Sequence, residues 1–159
     1  MKSRLPKLTC ATLAATALSI GFAFAAPYAL NSKVEPFTAT DQHGQQFTLD
    51  SKATKFVLIS HDMETGKKAN AALTALGKDY LTGRKAVYLA NIHGMPGVGR
   101  MFALPKMRKY KHRIILGDDA ELIARFPEQK GKVTVLSSAP MNKDEIYDLF
   151  LAVLNVHGF

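Results

Sequence analysis

Four apolar runs of strand length, separated by stretches of helical pattern, constrain this chain most. They are residues 55–60 (Lys55-Phe56-Val57-Leu58-Ile59-Ser60), 85–92, 113–117 and 132–137. A continuous apolar run this short, bounded by turn residues, reads as a strand buried on both faces. Between the runs lies a helical stretch from about Lys67 to Tyr80, with Ala71, Leu73, Leu76 and Tyr80 on or near one face. A second helix should run from Val98 to Ala103, ending before Pro105. A third spans Asp119 to Phe126, with Asp119 near its start, where a carboxylate suits the helix dipole. Asn142 can cap a last helix with Asp144 and Glu145 in its first turn and Ile146, Leu149, Phe150 and Val153 as its apolar face. Ahead of all this, Phe37-Thr38-Ala39-Thr40 and Gln46-Phe47-Thr48-Leu49 alternate around the turn Asp41-Gln42-His43-Gly44, which predicts a β-hairpin. A hairpin followed by alternating strands and helices predicts an α/β fold: a central, mainly parallel sheet with helices on both faces.

The head of the chain is of another kind. Lys2, Arg4 and Lys7 precede an uncharged run, Leu8 to Phe24, that closes on Ala23-Phe24-Ala25-Ala26-Pro27. A basic head, an apolar middle and small residues two apart form a secretory signal, with the cut expected after Ala25. The alternative is a retained anchor: the uncharged run, about 17 residues, is near the lower limit for spanning a bilayer, and the Ala-x-Ala end favours cleavage. The chain therefore divides into a cleavable signal over residues 1–25, an N-terminal tail over 26–36 and a single domain over 37–159. Cleavage leaves 134 of the 159 residues, lowers the formal charge from +8 to +5, and removes Cys10, the sole cysteine. Periplasmic or secreted proteins often rely on disulfides; here stability has to come from the core. No retained transmembrane segment is expected.

Phe37-Thr38-Ala39-Thr40-Asp41-Gln42-His43-Gly44, then Phe47-Thr48-Leu49 and the strand Phe56-Val57-Leu58-Ile59, resemble the start of the redoxin branch of the thioredoxin superfamily, which includes peroxiredoxins and exported thiol-disulfide reductases. The likeness extends through the strand–helix order to about Leu154 and implies a thioredoxin-like fold. In that family a reactive cysteine sits where the first central strand meets its helix, because the helix N-terminus stabilises a thiolate. The matching stretch here, His61-Asp62-Met63-Glu64-Thr65-Gly66-Lys67-Lys68, has no cysteine. Nor does a proline stand at Gln129-Lys130-Gly131-Lys132, where the family carries one before a later strand. The resemblance thus implies the fold of a cysteine-less exported member and argues against thiol-disulfide or peroxidase activity.

Loops at the C-terminal ends of parallel strands are where such folds place ligands. This assigns a ligand or partner surface to His61, Asp62, Glu64, Thr65, Lys67 and Lys68 after the first strand, and to Gly97 and Arg100 after the second. The His-x-Met triplets His61-Asp62-Met63 and His93-Gly94-Met95 would leave the sheet at one edge, and imidazole with thioether suits copper; two turns with gap-filling methionines would give the same pattern. Gly94 to Arg100 could approach a phosphate but lacks the Walker and dinucleotide patterns, so it reads as a strand-to-helix turn. The basic stretch Lys106 to Arg113 could meet an acidic partner or lipid headgroups, or simply be a solvated linker; export argues against nucleic acid. No cofactor is expected beyond a possible copper ion. The leading expectation is a non-catalytic binding or accessory module for a protein or small ligand outside the cytoplasm. The alternatives are a copper carrier using His61, Met63, His93 and Met95, and an enzyme of non-thiol chemistry using Asp62, Glu64 and Lys67.

Overall fold

The computed structural model describes residues 27–28, 33–138 and 144. The signal, Cys10, most of the expected last helix and His157 lie outside the described residues. The elements are β1 (Thr38–Asp41), β2 (Gln46–Thr48), β3 (Phe56–Ser60), α1 (Met63–Leu76), α2 (Tyr80–Gly83), β4 (Ala86–Asn91), α3 (Gly97–Met107), β5 (Ile114–Gly117), α4 (Ala120–Ala124) and β6 (Thr134–Ser137).

The strands form one six-stranded sheet of order β2-β1-β5-β4-β3-β6. β3 pairs with β4, and β4 with β5, in parallel. β1 is antiparallel to β2 and to β5, and β6 is antiparallel to β3. The sheet is therefore mixed rather than mainly parallel. The hairpin adds its antiparallel pair at the β5 edge. At the other edge, Thr134 pairs with Ile59 and Ser137 with Phe56, so the chain enters β6 at the end of the sheet where β3 finishes. The five-residue α4 is about 8 Å long and does not return the chain to the starting end that a parallel strand needs.

Alternation along the strands divides the core in two. Val57, Ile59, Leu89 and Ile115 pack with Phe37, Phe47, Leu122, Ile123 and Phe126 on one face. Phe56, Leu58, Tyr88, Ala90 and Ile114 pack with Ala69, Leu73 and Leu81 on the other.

Helix α1 begins four residues before the expected start and ends at Gly77, whose φ is +96°. Asp62 starts it early: its side chain accepts from the Thr65 backbone N–H at 2.8 Å and from Thr65 Oγ1 at 2.6 Å. The buried face accordingly shifts to Thr65, Ala69, Asn70, Ala72 and Leu73, leaving Ala71 exposed. Helix α3 runs through Pro105. The carbonyl that proline leaves without a helical donor is that of exposed Met101, where water can satisfy it.

The turn after β1 is not the open loop its composition suggests. Asp41 and Gln42 are buried. Gln42 continues the sheet with its side chain: Nε2 donates to the His112 carbonyl at 2.9 Å and Oε1 accepts from the Ile114 N–H at 2.8 Å. Asp41 accepts from the His43 and Gln45 N–H groups and from Arg113. His112 and Arg113 are thereby drawn out of the expected solvated linker.

Candidate functional site

Between α1 and α3, over the C-terminal half of β3 and β4, lies a groove of about 280 Å³. Its floor holds Ser60, Tyr88 and Ala90; Met63, Gly66 and Asn70 form one wall, and Gly99, Phe102, Ala103 and Met107 the other. Met95 and Tyr110 close its ends, and Lys67 and Lys106 stand on opposite walls.

The floor follows from strand parity. Ser60 shares a face with Phe56 and Leu58, and Tyr88 shares it with Ala86 and Ala90. The parallel register sets Leu58 opposite Tyr88 and Ser60 opposite Ala90, so the phenol reaches diagonally to the serine. Their oxygens are 2.7 Å apart. Burial pushes the Tyr88 pKa up to about 12 against the opposing Ser60 bond, which keeps the phenol neutral. Two hydroxyls carry two donors and their mutual bond uses one, so the pair retains a donor for a ligand. A Cβ at Gly66 would stand 3.4 Å from Ser60 Oγ and 3.6 Å from Tyr88 Oη, in ordinary van der Waals contact with the hydroxyl pair. Behind the floor, Asn70 Nδ2 donates to the Gly66 carbonyl at 2.8 Å, and Asn70 Oδ1 lies 2.9 Å from His112 Nε2. His112 stacks on Tyr110 with ring centroids 5.4 Å apart, and burial lowers its pKa.

Of the residues singled out from sequence, Asp62, Met63, Lys67 and Met95 line this groove. Asp62 serves as the cap of α1, and its hydrogen bonds from Thr65 hold its carboxyl below the usual range. Thr65 is buried beneath that cap. Glu64 and Lys68 form an exposed pair at 3.2 Å. His61 has a buried Nε2 without a hydrogen-bond partner among the described residues; burial lowers its pKa against Glu128, the Pro127 carbonyl and Asp62. His93 Nδ1 lies 3.0 Å from the Asp118 carbonyl oxygen. Arg100 clasps Asp118 through both terminal nitrogens at 2.5 Å and donates to the Met95 and Ile92 carbonyls, so it staples loops together. Gly97 opens α3 on its exposed side. Among the described residues, no group of three or more His, Cys, Asp or Glu side chains could hold a metal ion.

Sequence reasoning missed Ser60, Tyr88, Asn70, His112 and Tyr110. For Ser60 and Tyr88 the one signal was polarity at positions sharing the strand parity of the buried face, and their diagonal meeting depends on a register that only the fold supplies; Asn70 lies on α1, and Tyr110 and His112 lie in the stretch read as a solvated linker.

The parallel unit β3-α1-β4 has antiparallel β6 on the far side of β3 and an antiparallel hairpin beyond β5. The fold is thioredoxin-like. Among solved structures, the thioredoxin-like chain is similar to the peroxidoxin BcpB of Mycobacterium tuberculosis, at 14% identity and a TM-score of 0.43 over 80% of this chain and 96% of that one. It is similar to the thioredoxin domain of a thiol-disulfide oxidoreductase from Bacteroides vulgatus, at 13% identity and a TM-score of 0.46 over 75% and 93%. It is also similar to copper-bound ScoI of Bradyrhizobium japonicum, at 21% identity and a TM-score of 0.38 over 67% and 78%. A family model described as GspD-like, N0 domain, matches residues 127–159, a stretch that takes in β6. No curated protein matches the sequence. In this thioredoxin-like frame, the start of α1 presents His61, Asp62 and Met63, and the positive helix end is met by the Asp62 carboxylate. Before β6, Gly131 (φ +73°) brings its N–H to 3.4 Å from Asp62 Oδ2.

Proposed function

We propose that this protein is an exported, non-catalytic thioredoxin-like binding module and that the groove between α1 and α3 is its contact surface. The observation that carries the reading is the groove itself: apolar walls around a buried hydroxyl pair that retains a donor, the usual make-up of a small-ligand site. The capping carboxylate at the head of α1 supports a non-redox role, because it occupies the helix end a thiolate would need.

Two measurements test this. Insulin reduction and peroxide turnover by the purified protein should stay at background. The apolar dye anilinonaphthalene sulfonate should bind the native protein at one site, and Ala103→Phe, which fills the groove from the α3 wall, should weaken it about tenfold. Thiol turnover in a pure sample, or dye binding indifferent to Ala103→Phe, would refute the reading.

A copper-carrying role is the second reading, favoured by Met63 and Met95 lining one groove, since soft thioethers suit Cu(I). It expects stoichiometric Cu(I) uptake that weakens several-fold in His93→Ala; an unchanged titration dismisses it.

A further inference from the structure

Among the described residues, helix α3 has an apolar side that no other element covers. Val98, Met101 and Phe102 are 66%, 65% and 64% exposed, and none of the helix's residues is buried. With Pro105 they are spaced i, i+3, i+4, i+7, so they form one stripe along the helix. The opposite side, with Leu104 and Met107, packs against the core. The stripe is thus a second apolar face, outside the groove except at Phe102.

Its surroundings are cationic. From Tyr80 to Gly117 the chain contains no Asp or Glu, but it holds Arg84, Lys85, Arg100, Lys106, Arg108, Lys109, Lys111 and Arg113. Arg100 and Arg113 are committed to Asp118 and Asp41, and Arg108 donates to the Gln42 carbonyl. Lys106, Lys109 and Lys111 are exposed and in no ion pair among the described residues. At 3.6 residues per turn, Lys106 and Arg108 flank the stripe and Lys109 continues it past the helix end.

We propose that α3 is a membrane-surface anchor, lying in the interface of an anionic lipid bilayer with Val98, Met101 and Phe102 among the acyl chains and the lysines at the phosphates. An apolar stripe flanked by lysines matches the layering of a bilayer surface, where apolar side chains sink past the headgroups while cations stay level with them. The stripe carries no polar side chain with which to register a folded protein partner, and a lipid surface needs none. The inference is separate from the groove, because Val98 and Met101 do not line it.

The test is co-sedimentation of the protein purified from the exported fraction with vesicles. It should bind vesicles containing phosphatidylglycerol and leave pure phosphatidylcholine largely in solution, with binding weakened by added salt. Met101→Glu, and separately Lys106→Gln with Lys109→Gln, should each weaken the binding about tenfold. Ala103→Phe should leave it unchanged, which separates this surface from the groove. Circular dichroism confirms that each variant keeps the fold. Equal binding to both lipids, or Met101→Glu binding like the parent, overturns the proposal. So does a protein that ignores vesicles but forms a dimer which Met101→Glu dissolves in sedimentation velocity, since the stripe's occupant is then a second copy.

Discussion

Asp62, buried His112 and half-buried His61 carry the residue-scale consequences. Asp62 satisfies one backbone donor and the Thr65 hydroxyl at the head of α1, so Asp62→Ala should lower stability by about 1 kcal/mol in urea unfolding. Asp62→Asn, which keeps an acceptor oxygen, should recover most of it. His112 and His61 both have pKa values lowered by burial. A histidine whose folded pKa is depressed resists a proton that the unfolded chain accepts below about pH 6.5. Its stabilising effect is therefore complete above that pH and declines as the pH falls toward the folded value. Asp41 adds a second, more acidic loss: burial raises its pKa, but the Gln45 and His43 N–H groups and Arg113 outweigh that and hold it low. The unfolding midpoint should thus fall between pH 7 and pH 5, and His112→Gln should flatten that slope. An unchanged slope in His112→Gln would show that the Asn70 contact tolerates the imidazolium.

Elements were legible where local pattern and burial agree. All four apolar runs became strands: β3, β4 and β5 lie in the sheet interior as short apolar runs between turn residues suggest, while β6 is an edge strand with Thr134 and Val135 half-buried. Boundaries moved where a side chain outvoted hydropathy. Asp62 started α1 early, and Pro105 failed to stop α3 because the carbonyl it orphans faces water. Packing between elements was not legible at all. Gly117 looked like an ordinary end to β5, yet a Cβ there would overlap Ile123 Cδ1 and stand 3.3 Å from Ile123 Cγ1. This glycine lets α4 lie directly on β5, so Gly117→Ala should destabilise the fold by about 1–3 kcal/mol through overpacking. Adding Ile123→Val, which removes the clashing methyl, should restore part of the loss in the same melt. If the double variant is no more stable than Gly117→Ala alone, the close approach lies elsewhere.

Taken whole, the described residues form one sheet with a core on each face and two proposed contact surfaces beside α3, one facing inward over the sheet and one outward. Among the described residues no helix is long and apolar enough to cross a membrane, and a surface attachment through α3 requires none. The proposed export makes its own prediction at this scale: the intact mass of protein from the exported fraction should correspond to a chain beginning at Ala26. Retention of residues 1–25 would mean that the apolar head, and not α3, governs any membrane contact.

By itself the sequence determined the strands, the helices α1, α3 and α4, the thioredoxin-like order and the lack of a thiol at the head of α1, since each is set by residues close together in the chain; it did not give the short α2. The same local reach placed Asp62, Met63, Lys67 and Met95 in loops after strand ends, and the fold sets these four along the groove. Tertiary structure alone decided that β6 runs antiparallel, that Ser60 meets Tyr88, that His112 is buried against Asn70, and that the apolar stripe of α3 faces outward. Each of these depends on register or on which side of a helix finds a partner, and hydropathy along the chain is the same whichever side that is.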